Sequence, residues 1–104
     1  MAVTGGSFSF EPVELTINAG QLANIALTST DVLHDFNVEN HGFHLAVDPG
    51  ETAVGGLTVE EAGTYTIYCS VPGHREAGME ATLTVGQAAI LLQRLTYAPL
   101  LLAT

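Results

Sequence analysis

The chain is a succession of short stretches in which apolar and polar residues alternate, each followed by turn residues. Alternation with a period of two is typical of β-strands, because successive strand side chains point to opposite faces. Turn sequences such as Asn18-Ala19-Gly20 and Asp48-Pro49-Gly50 separate the stretches. The predicted strands are residues 12–17, 21–28, 34–39, 43–47, 52–59, 64–69 and 80–85. Seven or eight short strands at this spacing, without a convincing internal helix, predict an all-β sandwich.

Two finer predictions follow from the strand patterns. In the stretch 21–28, Leu22, Ile25 and Leu27 are the predicted core residues. Gly55 and Gly56 interrupt the following pattern, which indicates a β-bulge.

Composition limits the classes of protein to which the chain can belong. At 104 residues with 47% hydrophobic residues, it is long enough for one domain with a real core. Eleven acidic residues against Arg75 and Arg94 give a net charge of −9, which argues against nucleic acid as a partner. An acidic surface fits a protein that meets a basic partner, or one that lives at high salt, although simple solubility explains it equally well.

The two ends of the chain carry their own expectations. The first ten residues lack the basic and apolar regions of a secretory signal, so the protein is cytoplasmic or Met1 begins a mature domain. Residues 87–104 change to helix-forming apolar residues interrupted by Pro99. This run is shorter than the roughly 20 residues of a spanning helix, so a full membrane span is not expected. We therefore predict a domain at 1–86 and an apolar arm at 87–104 that packs on the domain or favours self-association.

The strongest chemical signal is a set of three side chains between the last two predicted strands. Cys69, His74 and Met79 follow one another with the spacing C-x4-H-x4-M. Each residue alone is weak evidence, because a single cysteine or methionine is usually a core residue. A loop joining adjacent strands can nevertheless bring a thiolate, an imidazole and a thioether to one end of a sandwich.

A metal centre on this loop needs a fourth ligand from elsewhere. His34 opens a predicted strand that a Greek-key sandwich could place beside residues 64–69. Two imidazoles, a thiolate and a weak thioether suit copper. Zinc is the alternative metal, but its tetrahedral sites have little use for methionine. His41 and His44 could form a second site, but surface or loop positions are the stronger expectation for both.

Three segments, TSTDVLHDFNVE (28–39), DPGETA (48–53) and EEAGTYTIYCSVPGHREAGMEATLTV (60–85), closely resemble the cupredoxins, the small blue-copper proteins. The resemblance covers about residues 8 to 86, and the ligand loop is similar to those of auracyanin- and sulfocyanin-type members. It implies a Greek-key, barrel-like sandwich that carries single electrons by Cu(I)/Cu(II) cycling. It also implies three equatorial copper ligands and one axial ligand, namely His34, Cys69 and His74 with Met79. Asp35 stands where some relatives carry asparagine.

The resemblance also bears on partners and on competing functions. It implies an extracytoplasmic location and redox partners that dock near His74, on a small apolar collar formed by Val71, Pro72, Gly73, Ala77 and Gly78. Enzymes with a second copper centre carry histidines beside the cysteine, whereas here the neighbours are tyrosine and serine. The binuclear copper domain of terminal oxidases needs two cysteines, and the chain has one. A copper storage or transport protein, or the electron-entry domain of a larger multicopper enzyme, remains the alternative to an electron carrier that is not itself an enzyme.

Overall fold

The computed structural model describes residues 1–87, which form nine β-strands and no helix. Their bounds are β1 Ala2–Gly6, β2 Ser9–Glu11, β3 Glu14–Asn18, β4 Ala23–Ser29, β5 His34–Val38, β6 His44–Val47, β7 Thr52–Leu57, β8 Gly63–Tyr68 and β9 Glu80–Gly86. All seven predicted strands are present, and each observed end lies within two residues of its expected position. Among these residues no helix is long and apolar enough to cross a membrane.

The strands form two sheets that enclose one core. One sheet has the order β2-β1-β4-β7 and the other the order β3-β9-β8-β5-β6. The pairs β1/β4 and β3/β9 are parallel, and all other neighbours are antiparallel. Along the chain, β4 and β7 of the first sheet alternate with β3, the pair β5 and β6, and the pair β8 and β9 of the second sheet, so the chain crosses repeatedly between the sheets. The predicted β-sandwich is confirmed.

The first two strands are additional to the seven or eight that the sequence predicts. β1 ends in Gly5 and Gly6, which weakens its alternation, and β2 is only three residues long. A two-residue turn of Ser7 and Phe8 joins them, with φ of 53° and 57°. Such positive φ values suit hairpin turns, but they are unusual for residues other than glycine, asparagine or aspartate. The turn residues therefore gave no sequence signal for this hairpin.

The core consists of large apolar side chains from both sheets that are 1% exposed or less. They include Phe10, Ile25, Leu27, Phe36, Leu57, Ile67 and Leu83. The prediction for Leu22 was wrong, since it precedes β4 and is 66% exposed. Its Cδ1 instead lies 2.9 Å from the point that a Cβ on Gly56 would occupy. Leu22 thus faces outward and covers Gly56 on the neighbouring strand β7.

The predicted bulge at Gly55 and Gly56 is also wrong. Gly55 pairs with Ile25 and Gly56 with Asn24 in an uninterrupted antiparallel register. The space beside Gly55 is occupied by the Phe43 ring, whose Cζ lies 3.3 Å from the point that a Cβ would take. The glycine therefore serves close packing of a ring against a regular strand.

The predicted arm at 87–104 lies outside the described residues, apart from Gln87.

Candidate metal centre

Four residues predicted as ligands lie at one end of the sandwich. His34 is the first residue of β5, Cys69 directly follows β8, and Met79 directly precedes β9. His74 lies in the loop between β8 and β9. His34, Cys69 and Met79 are fully buried, and His74 is 9% exposed. The centre is therefore enclosed, with His74 as its most accessible member.

The structure brings three of these side chains into one cluster. The Cys69 Sγ lies 4.0 Å from His34 Nδ1 and 3.6 Å from His74 Nδ1. All three donor atoms lie within 4.8 Å of one another, and the two ring centroids are 5.0 Å apart. Two imidazole nitrogens and one sulfur thus surround a space the size of a metal ion.

Met79 is tied to the same cluster through the backbone and through its side chain. The Cys69 N–H donates to the Met79 carbonyl oxygen at 3.2 Å, and the Met79 N–H donates to the His74 carbonyl oxygen at 3.1 Å. A Cβ on Gly5 would lie 3.1 Å from the Met79 Cε and 3.4 Å from the His34 ring. The backbone of β1 at Gly5 therefore forms a wall of the centre. It can pack this closely against both side chains because glycine has no Cβ.

Asp31 orients the first histidine. Its Oδ1 accepts a 2.6 Å hydrogen bond from His34 Nε2, which leaves the Nδ1 lone pair for a metal. Its Oδ2 accepts the Ser7 N–H at 2.8 Å, and Oδ1 also accepts the Val32 N–H at 2.7 Å. These hydrogen bonds lower the pKa of Asp31 from 3.8 to about 2, and the one from Ser7 has the largest effect. The carboxylate is consequently ionised throughout the physiological range.

Burial dominates the electrostatics of the sulfur. Removal from water raises the pKa of the Cys69 thiol. The Asp35 N–H donates to Sγ at 3.4 Å and lowers the pKa, but this effect offsets the increase only in part. A thiol with a raised pKa stays protonated near neutrality, so binding of a metal to the thiolate would release a proton.

Asp35 itself differs from what strand alternation predicts. Successive strand residues face opposite sides, so Asp35 faces away from His34, on the side that a half-buried strand turns to solvent. Every residue of β5 is nevertheless buried. The Asp35 carboxylate accepts the Ser70 N–H at 2.6 Å and the Ser70 hydroxyl at 2.5 Å. The ligand loop therefore folds over the outer face of β5 and is fastened there.

Arg75 fastens the other side of the loop. Its Nε donates to Glu80 at 2.6 Å and its Nη2 to Glu39 at 2.8 Å. Its guanidinium also lies 4.2 Å from the centroid of the Tyr68 ring. These contacts link the loop to β8, to β9 and to Glu39, the residue directly after β5. The bonds to Glu39 and Glu80 hold the pKa of Arg75 above its usual range.

The surroundings of His74 are more apolar than the sequence indicated. Of the predicted collar, Val71 is half-buried and the other four residues are exposed. The Phe8 ring adds an edge-to-face contact with His74 at 5.0 Å between centroids, and it is 49% exposed. Val32 and Leu33, 46% and 44% exposed, lie on the loop that leads into His34.

The remaining two histidines lie outside the cluster. The His41 Nε2 lies 3.0 Å from the Thr58 carbonyl oxygen, and the exposed His44 ring contacts Asn37 through Nδ1 at 2.7 Å. Within residues 1–87, one group of three or more histidine, cysteine, aspartate or glutamate side chains is close enough to share a metal ion. It consists of His34, Cys69 and His74.

Sequence reasoning missed the residues that support the cluster. Asp31, Gly5 and Phe8 were not singled out, although all three contact a predicted ligand. An aspartate three residues before a candidate histidine ligand was a usable signal, because metal-binding histidines commonly donate to a carboxylate. Gly5 and Phe8 had no comparable signal, since their contacts depend on the parallel pairing of β1 with β4.

The donor set fits copper better than zinc. Two imidazoles and a thiolate, with a buried thioether beside them, are a soft combination that copper prefers, and zinc gains little from methionine. The family model for copper-binding proteins of the plastocyanin/azurin family matches residues 1–86. The chain belongs to this family of cupredoxins. Its cofactor is therefore copper.

Curated relatives of this cupredoxin include an oxidase subunit and a reductase. Cytochrome c oxidase subunit 2 of Thermus thermophilus is 31% identical over 64 residues, which are 62% of this chain and 47% of the relative. Nitrous-oxide reductase of Pseudomonas fluorescens is 31% identical over 61 residues, which are 55% of this chain and 10% of that enzyme. The chain thus spans less than half the length of these relatives.

Solved structures with the same fold cover nearly the whole domain. Auracyanin A, a blue copper protein of Chloroflexus aurantiacus, superposes with a TM-score of 0.73 at 21% identity, covering 83% of this chain and 97% of its own. The periplasmic domain of cytochrome oxidase subunit II of Bradyrhizobium japonicum gives 0.70 at 16% identity, covering 94% and 91%. At these identities the likeness establishes the cupredoxin fold.

Proposed function

We propose that this cupredoxin binds one copper ion through His34, Cys69, His74 and Met79 and carries single electrons between redox partners. The observation that carries the proposal is that the Nδ1 atoms of two imidazoles lie close to one sulfur, and that all three residues are buried. Copper bound there would supply a one-electron Cu(I)/Cu(II) couple. Residues 1–86 would constitute the copper-binding domain.

The protein's own contribution is to hold these donors in place. His34 is fixed by Asp31, the loop is fastened to β5 through Ser70, and Arg75 fastens its far side. Cys69 and Met79 are joined by a backbone hydrogen bond. A site held by strands and hydrogen bonds changes little between oxidation states, which favours rapid electron transfer.

His74 is the proposed point of electron exchange. It is the ligand nearest the surface, and exposed apolar residues including Phe8, Pro72 and Ala77 surround the end of the sandwich that carries it. An apolar contact area allows a partner to approach closely without desolvating charges. The net charge of −9 would favour a partner with a basic surface.

Other functions of this centre fit the chain less well. A thiolate-bridged pair of copper ions, as in terminal oxidases, would need a second cysteine, and the chain has only Cys69. A copper storage or transport protein would need exchangeable ligands, whereas three of the four here are fully buried. We therefore infer an electron carrier that is not itself an enzyme. The likeness to the periplasmic domain of a cytochrome oxidase subunit II supports an extracytoplasmic location.

Loading the purified protein with Cu(II) tests the proposal. We expect an intense visible thiolate-to-copper band and a narrow copper hyperfine splitting in the EPR spectrum. Cys69→Ser should abolish the band, and His74→Ala should abolish it while the fold remains intact. His41→Ala is the matched control, because His41 lies at the opposite end of β5 and should leave both spectra unchanged. A pale, tetragonal wild-type spectrum would refute the electron-carrier assignment and favour storage or transport.

A further inference from the structure

The carboxylate of Asp35 is the one buried acidic side chain among residues 1–87, at 6% exposure. The only arginine or lysine in this part of the chain is Arg75, which pairs with Glu39 and Glu80 instead. The nearest group that can become positive is the exposed His44, with Nδ1 at 3.9 Å from Oδ2. The Asp35 charge therefore has no permanent positive partner to balance it.

All three hydrogen-bonding partners of the Asp35 carboxylate act as donors to it. Oδ1 accepts the Ser70 N–H at 2.6 Å and the Asn37 side-chain amide at 2.8 Å, and Oδ2 accepts the Ser70 hydroxyl at 2.5 Å. A protonated carboxyl would place a donor of its own in this network. The arrangement therefore fits the ionised form.

Asp35 and its main partner both lie next to proposed metal ligands. Asp35 follows His34 in β5, and its backbone N–H donates to the Cys69 sulfur. Its main partner, Ser70, follows Cys69. A fixed negative charge is thus held beside two of the proposed ligands inside a poorly solvated part of the molecule, where charges act strongly on one another.

We propose that Asp35 lowers the reduction potential of the bound copper by favouring its oxidised state. This inference rests on the proposed function. With two neutral imidazoles and one thiolate, the centre carries one positive charge as Cu(II) and none as Cu(I). Reduction adds one electron from a donor protein, breaks no bond and moves no proton. A nearby negative charge stabilises the positive centre more than the neutral one, so it opposes reduction.

Asp35→Asn isolates the effect of charge. Asparagine has nearly the same shape, and its carbonyl oxygen can still accept the Ser70 N–H. Ser70→Ala is the complementary variant, because it removes the hydroxyl that donates to Asp35 and leaves the carboxylate in place. Glu61→Gln is the matched control for lost charge. Glu61 is exposed and precedes β8, roughly 20 Å of strand from Cys69.

The experiment is a redox titration of the four copper-loaded proteins at pH 8, where an ordinary imidazole is uncharged. We expect Asp35→Asn to shift the Cu(II)/Cu(I) equilibrium roughly tenfold toward Cu(I), a rise of about 59 mV for one electron. Ser70→Ala should shift it less, and Glu61→Gln by less than twofold. Thermal unfolding of the copper-free proteins should show Asp35→Asn folded, with no larger loss of stability than Ser70→Ala.

The outcomes separate the inference from the proposed function. An intact wild-type copper band with equal potentials for wild type and Asp35→Asn would overturn the role of Asp35 alone. So would an equal rise in Ser70→Ala, because loosening of the loop would then explain the effect. A wild-type protein without the copper band would overturn the proposed function, and this inference with it.

Discussion

Asp31 shows how one exposed carboxylate connects the metal centre to a distant turn. It accepts hydrogen bonds from His34, from the Ser7 N–H and from the Val32 N–H. The Ser7 and Phe8 turn has two positive φ values, and backbone of this kind persists where surrounding contacts hold it in place. The same carboxylate therefore supports a ligand and the turn that brings Phe8 against His74.

The lowered pKa of Asp31 predicts a pH-dependent contribution to stability. Its folded pKa of about 2 lies below the ordinary 3.8, so its ionised form stabilises the folded state above pH 4. This contribution should be lost as the pH falls from about 4 to about 2. We expect the stability advantage of wild type over Asp31→Asn, measured by thermal unfolding of the copper-free protein, to shrink across that window. Parallel curves for the two proteins would contradict this reading.

At the scale of elements, the centre depends on a strand that lacks any ligand. β1 pairs in parallel with β4, and this pairing places Gly5 against Met79 and His34. The strand thereby closes one side of the centre, next to Met79 and His34. Ligand spacing pointed to the loop and to β5, whereas the wall formed by β1 depended on the sheet order.

Gly5→Ala tests this wall. The added methyl group would lie 3.1 Å from the Met79 Cε, so the methionine or the strand must move. We expect a loss of about 1–3 kcal/mol in the free energy of unfolding, as for other overpacked sites. We also expect a shift of the copper spectrum and potential, because the proposed ligand Met79 would be displaced. Gly42→Ala is the control, since no atom lies within 4 Å of its new methyl group. Identical spectra for Gly5→Ala and wild type would show that Met79 does not depend on the wall.

At the scale of the whole molecule, charge and shape have separate roles. The net charge of −9 produces a field that extends over the surface, while the end that carries His74 is lined by apolar residues. Long-range attraction would bring a basic partner close, and short-range apolar contact would seat it.

The rate of electron transfer to a basic redox protein should therefore depend on salt. Screening shortens the reach of the charges from about 30 Å at 0.01 M ionic strength to about 3 Å at 1 M. We expect the second-order rate constant, measured by stopped flow, to fall roughly tenfold or more over this range. An anionic small-molecule reductant should show the opposite trend. A rate constant with the basic partner that does not change with salt would argue against steering by the acidic surface.

The sequence by itself determined the strands with regular alternation and the residues with metal-binding chemistry. Both are local properties: a period of two defines a half-buried strand, and the spacing of Cys69, His74 and Met79 fits one loop. The assignment of these residues and His34 as copper ligands stays a prediction until the metal is bound.

The tertiary structure alone decided which residues meet across the chain. It placed His34 beside Cys69, 35 residues away, and buried Asp35 under the ligand loop. It also set Gly5 against Met79 through the pairing of β1 with β4. The physical reason is that sheet order and loop folding depend on contacts distant in sequence, which strand periodicity does not encode.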